Sequence, residues 1–344
     1  MSLTDPDNWT LAQSLLIFAG CAVVIALAGT RITRVVDQLA DRTGIGEAAA
    51  GAVLLGASTS LGGCVLSVSA AANGHAELAI SNALGGIAVQ TFFLAVADMA
   101  YRKANLEHAA ASVPNMLQNA LLICLLAMIL LAPSLPDVSF WGVHPITPVM
   151  FAFYLYGVHL VRAVGEDPMW LPSVTRETQE DEPDDESFQP PISRLWGEFL
   201  FLMAILGLAG FTLEPAASTI ARDTGIGQTV VGVLMTAIST SIPELVTSIA
   251  AVRRGAVTLA VGGIIGGNAF DTLFTGASDI AYREGSIYHA MSADSAFWIA
   301  LTLLMSGILM MGLIRRERYG IALIGAESVS ILVLYVLGVV LLVW

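Results

Sequence analysis

Residues 43–46, TGIG, return unchanged at 224–227, and the residues beyond each copy repeat as well. STS at 58–60 recurs at 239–241, GG at 85–86 recurs at 266–267, and AYR at 100–102 recurs at 281–283. All four pairs share one offset of 181, so residues 43–102 align with 224–283 without a gap, and 23 of the 60 positions are identical. Both copies are apolar. A duplicated apolar unit reads as a duplicated set of membrane helices, and such repeats put a binding site where the copies meet, near the bilayer midplane.

The rest of the chain agrees with a membrane setting. Of its 344 residues 56% are hydrophobic and 12% charged, with a mean hydropathy of +0.76; soluble domains carry about 25% charged residues. The net charge of −13 says little about partners, because nine of the 28 acids lie between Glu166 and Glu186 in one polar stretch. Cys21, Cys64 and Cys124 fall in apolar segments without disulfide or metal spacing and read as small packing residues. Residues 1–10 carry acids and no base, unlike a signal peptide, so the first apolar segment is expected to remain as a span.

A helical span needs about 20 mostly apolar residues. Segments of that kind lie at 11–30, 46–72, 77–101, 114–132, 146–163, 195–213, 226–252, 257–281, 294–314 and 321–343. The expected fold is an all-α membrane protein of ten transmembrane helices in two five-helix repeats, residues 1–163 and 195–344. Residues 164–194 form an acidic linker rich in proline. Spans two and seven, rich in Gly, Ser and Thr, are expected to be broken where they line a cavity.

Five is odd, so the second half starts on the opposite face of the membrane from the first. With the N-terminus outside, the inner loops hold Arg31, Arg34, Arg42, Arg102, Lys103, Arg162, Arg176, Arg194, Arg253, Arg254, Arg315, Arg316 and Arg318, and the outer loops only Arg222 and Arg283. That is the positive-inside pattern. It predicts inverted repeats, both termini outside and a cytoplasmic linker.

Ionisable residues within spans are functional candidates. Glu244 lies mid-span in AISTSIPELVTSIAA (237–251), beside Pro243, whose missing N–H frees carbonyls near Ser239 and Thr240. Asp271 lies mid-span in GGIIGGNAFDTLF (262–274), where glycines permit close helix approach. Two carboxylates, the hydroxyls of Thr240 and Ser241 and loosened carbonyls form an oxygen set suited to a cation.

TSIPEL (240–245) followed by GGIIGGNAFD (262–271) resembles the second signature repeat of the sodium/calcium exchanger family within the cation/calcium antiporter superfamily. ASTSLGG (57–63) and NGHAELAISNALGGIAVQ (73–90) resemble the first. The resemblance implies ten helices in inverted halves, four of them around a midplane ion site. It implies acidic ligands at Glu244 and Asp271, hydroxyl ligands at Thr240, Ser241, Thr59 and Ser60, and a motif asparagine at Asn268, which equally suits a helix–helix hydrogen bond. The implied activity is secondary antiport of Ca²⁺ for Na⁺ or H⁺ by alternating access, with rocking of spans one and six. The expected partners are inorganic cations and the bilayer of a bacterial or archaeal inner membrane, with no cofactor and no nucleic acid.

The first repeat departs from the family pattern. Gly62 and Gly63 stand opposite Pro243 and Glu244, and Gln90 stands opposite Asp271. Gln90 offers one carbonyl oxygen or an interhelical hydrogen bond. Two carboxylates balance one divalent ion, two monovalent ions or two protons, which favours electroneutral exchange and leaves a monovalent Na⁺/H⁺ exchanger or another divalent carrier open. A degenerate repeat also suits a transport-inactive relative. An intramembrane hydrolase is disfavoured, since no HExxH or Gly-x-Gly-Asp occurs.

Elsewhere, Asp98 and Asp279 are expected to pair with Arg102 and Arg283 four residues on, and Glu77 to sit at a helix start. His75, His108, His144, His159 and His289 read as solvated or interfacial. Trp141, Trp196, Trp298 and Trp344 read as interfacial anchors.

Overall fold

The computed structural model describes residues 9–43, 56–101, 103–175, 191–254, 257–320 and 324–344. Arg102, Arg176, Gly44, Gly51, the start of the span expected at 46–72 and the most acidic part of the linker lie outside them. Among the described residues there is no strand, and ten helices have twelve residues or more. They are α1 (Leu11–Thr43), α2 (Leu61–Ala72), α3 (Ala76–Ala100), α4 (Val113–Leu131), α5 (Ile146–Glu166), α6 (Ile192–Thr224), α7 (Ala237–Arg254), α8 (Val257–Ala281), α9 (Ala293–Arg315) and α10 (Ala326–Val343). Eight stretches are long and apolar enough to cross a membrane. The other two expected spans fall on α2, a shorter apolar helix, and on α8, which has the length but carries Asn268, Asp271 and a run of glycines.

The offset of 181 extends into the helix bounds. It relates Leu11–Thr43 to Ile192–Thr224 and Ala76–Ala100 to Val257–Ala281. At 33 residues each, α1 and α6 are about 50 Å long, and they lie against one another. A bilayer core is about 30 Å thick, so helices of this length tilt or project beyond it. α3 is enclosed by α2, α7, α8, α9 and α10. That is why its small and apolar residues run around the whole helix rather than along one stripe.

Span two breaks where expected, at Ser60, between a short turn of helix at Gly56–Thr59 and α2. Span seven does not break at Pro243. α7 runs through the proline, and the irregularity lies upstream, in a π-helical turn at Val231–Thr236. There Gly232 rests on Ser81, and Gly85 meets the backbone of Val233, so the π turn and α3 touch almost main chain to main chain. The proline costs α7 the bond to Ser239 O, and its ring is received by Gly29 of α1 instead.

Glycine sets both crossings of the long helices over this core. A Cβ on Gly29 would lie 2.3 Å from Pro243 Cγ, and one on Gly210 of α6 would lie 2.1 Å from Gly62 O on α2. Gly29 and Gly210 differ by 181, as do Gly62 and Pro243. The same pair of contacts is thus made twice, with a glycine in one half where the other has a proline.

The loops correct several expectations. Asp98 accepts from Leu106 N (2.6 Å) and Gly325 N (3.0 Å). Asp279 accepts from Ile287 N (3.2 Å), His144 N (2.8 Å) and Thr147 Oγ1 (2.7 Å). Both acids tie loops to helix ends, because buried backbone N–H groups demand acceptors; Asp279 serves these groups rather than the exposed Arg283, and the expected pair of Asp98 with Arg102 lies outside the described residues. His108 and His144 are buried, not solvated. The His108 ring bonds Arg316 O and Thr175 Oγ1. Trp298 is no interfacial anchor: it is buried at 1% exposure beside Tyr335 and over Gly338, which leaves space for the indole. Trp141 and Trp344 are exposed.

Gly210→Ala should therefore force α6 off α2, whereas Gly20→Ala on α1 meets nothing within 4 Å. Overpacking of this kind costs about 1–3 kcal/mol. The expected result is a clear fall in the thermal midpoint of purified protein for Gly210→Ala and none for Gly20→Ala.

Candidate functional site

The candidate site forms where the break in span two faces α7 and α8. The break turns Thr59 and Ser60 inward, both buried. Ser60 Oγ lies 3.4 Å from Glu244 Oε1, and the Thr59 hydroxyl also reaches that carboxylate. Ser60 reaches Asp271 as well, and the two carboxylates are near enough to repel one another. One serine hydroxyl therefore stands between the two acids singled out by the sequence, and both are buried, at 8% and 3% exposure.

Gln90 completes the group from α3. Its amide nitrogen donates to Asp271 Oδ2 (2.8 Å) and to Ser241 Oγ (3.4 Å). Gln90 and Asp271 are themselves 181 apart, so equivalent positions of the two copies touch side chain to side chain. Gly86 and Gly267, again 181 apart, leave the room: a Cβ on the first would lie 3.8 Å from Ser241 Oγ and on the second 3.7 Å from Gln90 Oε1.

Thr240 Oγ1 donates to Thr236 O (2.9 Å) and Ala237 O (3.2 Å), which engages its proton and leaves oxygen lone pairs. A Cβ on Gly63 would lie 3.5 Å from that oxygen. The space opposite Glu244 is not left to loose carbonyls. Asn82 of α3 fills it, donating to Gly63 O (3.1 Å) and Ser67 Oγ (2.9 Å). Asn268, one turn before Asp271, donates to Thr91 Oγ1 (3.1 Å) and so joins α8 to α3.

Among the described residues, five oxygens of this region are buried without a hydrogen-bond partner: Asn82 Oδ1, Gln90 Oε1, Glu244 Oε2, Asn268 Oδ1 and Asp271 Oδ1. All five are acceptors. Leaving a buried acceptor unmet costs about 1–3 kcal/mol, and a group of them suits a positively charged guest. Structurally, Glu244, Asp271, Thr59, Ser60, Ser241 and Gln90 come together directly, Thr240 adjoins them through Gly63, and Asn268 sits at the edge.

Three features escape a reading of the sequence. Asn82 stands opposite Gly263, so the duplication gives it no echo. Cys64 lies close enough to Asp271 to sense its charge. Glu214 is buried within α6 and held by Asn73 Nδ2 (3.0 Å) and His75 Nδ1 (2.8 Å); the span expected at 195–213 stops one residue short of it. Glu77 receives a hydrogen bond from Thr229.

The chain matches the family described as "Sodium/calcium exchanger protein" over residues 13–161 and 194–344. It belongs to that family. This is a family of membrane transport proteins, and with the apolar helices it makes the chain an integral membrane protein. "Inner membrane protein YrbG" of Escherichia coli (strain K12) is 27% identical over 76% of this chain and 77% of its own length. The "Putative antiporter CaxA" of Alkalimonas amylolytica is 26% identical over 89% and 92%. The fold is similar to that of the H⁺/Ca²⁺ exchanger CAX, at a TM-score of 0.72 and 15% identity over 95% of this chain and 82% of that one. It is also similar to the sodium–calcium exchanger NCX_Mj, at a TM-score of 0.60 and 17% identity over 96% and 99%.

Ser60→Ala removes the hydroxyl that reaches both acids. Hydrogen bonds to charged groups are worth about 1.5–3 kcal/mol, so the variant should unfold at a lower temperature than the parent at pH 8, where the carboxylates need the donor most.

Proposed function

We propose that the chain is a secondary active antiporter that exchanges Ca²⁺ for Na⁺ or H⁺ by alternating access at a midplane carboxylate site. The observation that carries this reading is the pairing of Glu244 and Asp271 through Ser60, surrounded by unpartnered acceptor oxygens. Glu244 and Asp271 supply the charge, and Thr59, Ser60, Thr240 and Ser241 supply neutral oxygens. Gln90 positions Asp271 and offers its carbonyl oxygen. Asn268 contributes from the edge.

The architecture we propose is ten spans in two inverted halves, residues 1–163 and 195–344, joined by the linker at 164–194. Both termini lie outside and the linker lies in the cytoplasm of a bacterial or archaeal cell. Support comes from the distribution of basic residues and from contacts that recur at the offset of 181, above all Gln90 on Asp271 and the two glycine crossings. In this reading α1 and α6 move across the core and expose the site to each side in turn. Names of relatives agree in the cation and differ in the counter-ion: H⁺/Ca²⁺ for CAX and sodium–calcium for NCX_Mj.

Two buried carboxylates set the stoichiometry. One Ca²⁺ or two monovalent ions neutralise them, and a larger imbalance would leave uncompensated charge in low dielectric at several kcal/mol. Exchange is therefore electroneutral.

In proteoliposomes, ⁴⁵Ca²⁺ uptake driven by an Na⁺ or pH gradient should fall at least 100-fold in Glu244→Gln and in Asp271→Asn; unchanged uptake in both would remove the site. Na⁺ flux without Ca²⁺ flux in the parent would point to the monovalent exchanger, and no flux of either to a transport-inactive relative. With the membrane potential clamped, transport should carry no net current; a current proportional to Ca²⁺ flux would overturn the charge count.

A further inference from the structure

The loop ties of Asp98 and Asp279 are two copies of one cage. Asp98 holds Leu106 N and Gly325 N; Asp279 holds Ile287 N and His144 N. Each residue of one cage lies 181 positions from its counterpart in the other: 98 and 279, 106 and 287, 144 and 325. The hydroxyls agree. Thr147 Oγ1 lies 2.8 Å from Tyr288 OH in one cage, and Ser328 Oγ lies 2.6 Å from Glu107 Oε1 in the other; 147 pairs with 328 and 107 with 288.

The cages differ in charge. Around Asp279 the paired positions are Tyr288 and Ile146, both neutral, so one carboxylate has three donors. Around Asp98 those positions are Glu107 and Glu327, and three carboxyls are buried together at 0%, 5% and 7% exposure. Among the described residues, few charged groups bond to them. Arg315 of α9 touches Glu327 at 3.3 Å and shares itself with Glu317 at 3.1 Å. Arg316 is turned to Ser173 O, and His108 to Arg316 O and Thr175.

Among the described residues, Glu107 Oε2 is the one carboxyl oxygen of this cage buried without a partner. Gly325 and Gly312 close over the glutamate: a Cβ on Gly325 would lie 2.9 Å from Oε2, and one on Gly312 would lie 3.1 Å from Cγ. Among the described residues no three acids are arranged to hold a metal ion. The ligand that fits a closed space bearing an unmet carboxyl oxygen among like charges is a proton.

We propose that Glu107 is a proton-binding site separate from the transport site, and that its protonation holds the Asp98 cage closed. A protonated Glu107 bears an O–H where the other cage has the O–H of Tyr288, and so restores the neutral arrangement. Loss of the proton puts a further negative charge beside Asp98 and Glu327. The repulsion loosens the Leu106–Ala109 turn and the start of α10 from the end of α3, the helix that carries Gln90. Burial first, and then the charge of Asp98, push the Glu107 carboxyl up to about 7. On the proposed orientation the cage lies on the cytoplasmic side, among Lys103, Arg316 and Arg318, and would respond to cytoplasmic pH.

Linkage gives the sign. An acid whose folded value is raised binds its proton more tightly when the cage is closed. Closure is therefore complete below the ordinary glutamate range and is lost as pH rises towards 7. The test is amide hydrogen exchange of Leu106 and Gly325 in the full-length protein between pH 4.5 and 8.5, corrected for intrinsic exchange. Protection in the parent should fall by at least about two orders of magnitude between the ordinary glutamate range and pH 7 and level off above it, so that the midpoint of the fall lies between those two values. Glu107→Gln should hold protection high and flat, Ile287 and His144 should stay flat throughout, and Glu327→Ile should move the midpoint to lower pH. A flat profile in the parent, or one unchanged in Glu107→Gln, would overturn the proposal. Because the readout is exchange at the cage, it stands apart from whether Glu244 and Asp271 transport ions. Should Glu107→Gln fail to fold, the Glu327→Ile midpoint decides alone: a shift to lower pH sustains the site and no shift overturns it.

Discussion

Two carboxylates buried within reach of one serine hydroxyl impose most of what the rest of this molecule does. Charge of one sign in a low-dielectric core is tolerable only when a proton or another cation compensates it and when the geometry does not relax. The helices around Glu244 and Asp271 supply that rigidity. α3 is enclosed on every side, Gln90 pins Asp271, and Asn82 fills the position where the other half has a carboxylate. The break at Ser60 is what brings a hydroxyl to both acids from a third helix.

The proposed alternating-access reading adds a second requirement, that long helices pass close to this core without locking into it. Glycine meets that requirement at both crossings. Gly29 accepts the Pro243 ring, and Gly210 lies on the Gly62 carbonyl. At each crossing one partner is a glycine, so no pair of side chains interdigitates there, the feature that makes ordinary helix packing resist displacement. One polar hold on α6 lies a turn beyond Gly210, where Glu214 meets Asn73 and His75.

Much of this is legible in the chain because duplication writes the same instruction twice. TGIG, STS and AYR align the copies, and the alignment brings Glu244, Asp271, Ser60 and Gln90 into one comparison. It misses positions where only one copy has chemistry. Asn82 faces Gly263, and Glu214 faces Thr33. Pro243 misleads for a different reason: a proline predicts a missing bond, but whether the helix bends depends on what receives the ring, and Gly29 lies more than two hundred residues away in sequence. Asp279 misleads because sequence shows Arg283 four residues on, whereas burial gives priority to backbone N–H groups brought in by the fold.

The unequal crossings have a thermodynamic meaning. A chain made of two identical inverted halves would have two end states of equal energy, exchanged by the symmetry itself. Here one crossing sets a glycine on a rigid ring and the other sets a glycine on a bare peptide carbonyl. On the proposed alternating-access reading, the difference between residue 62 and residue 243 lifts that degeneracy and gives α1 and α6 a resting preference for one side.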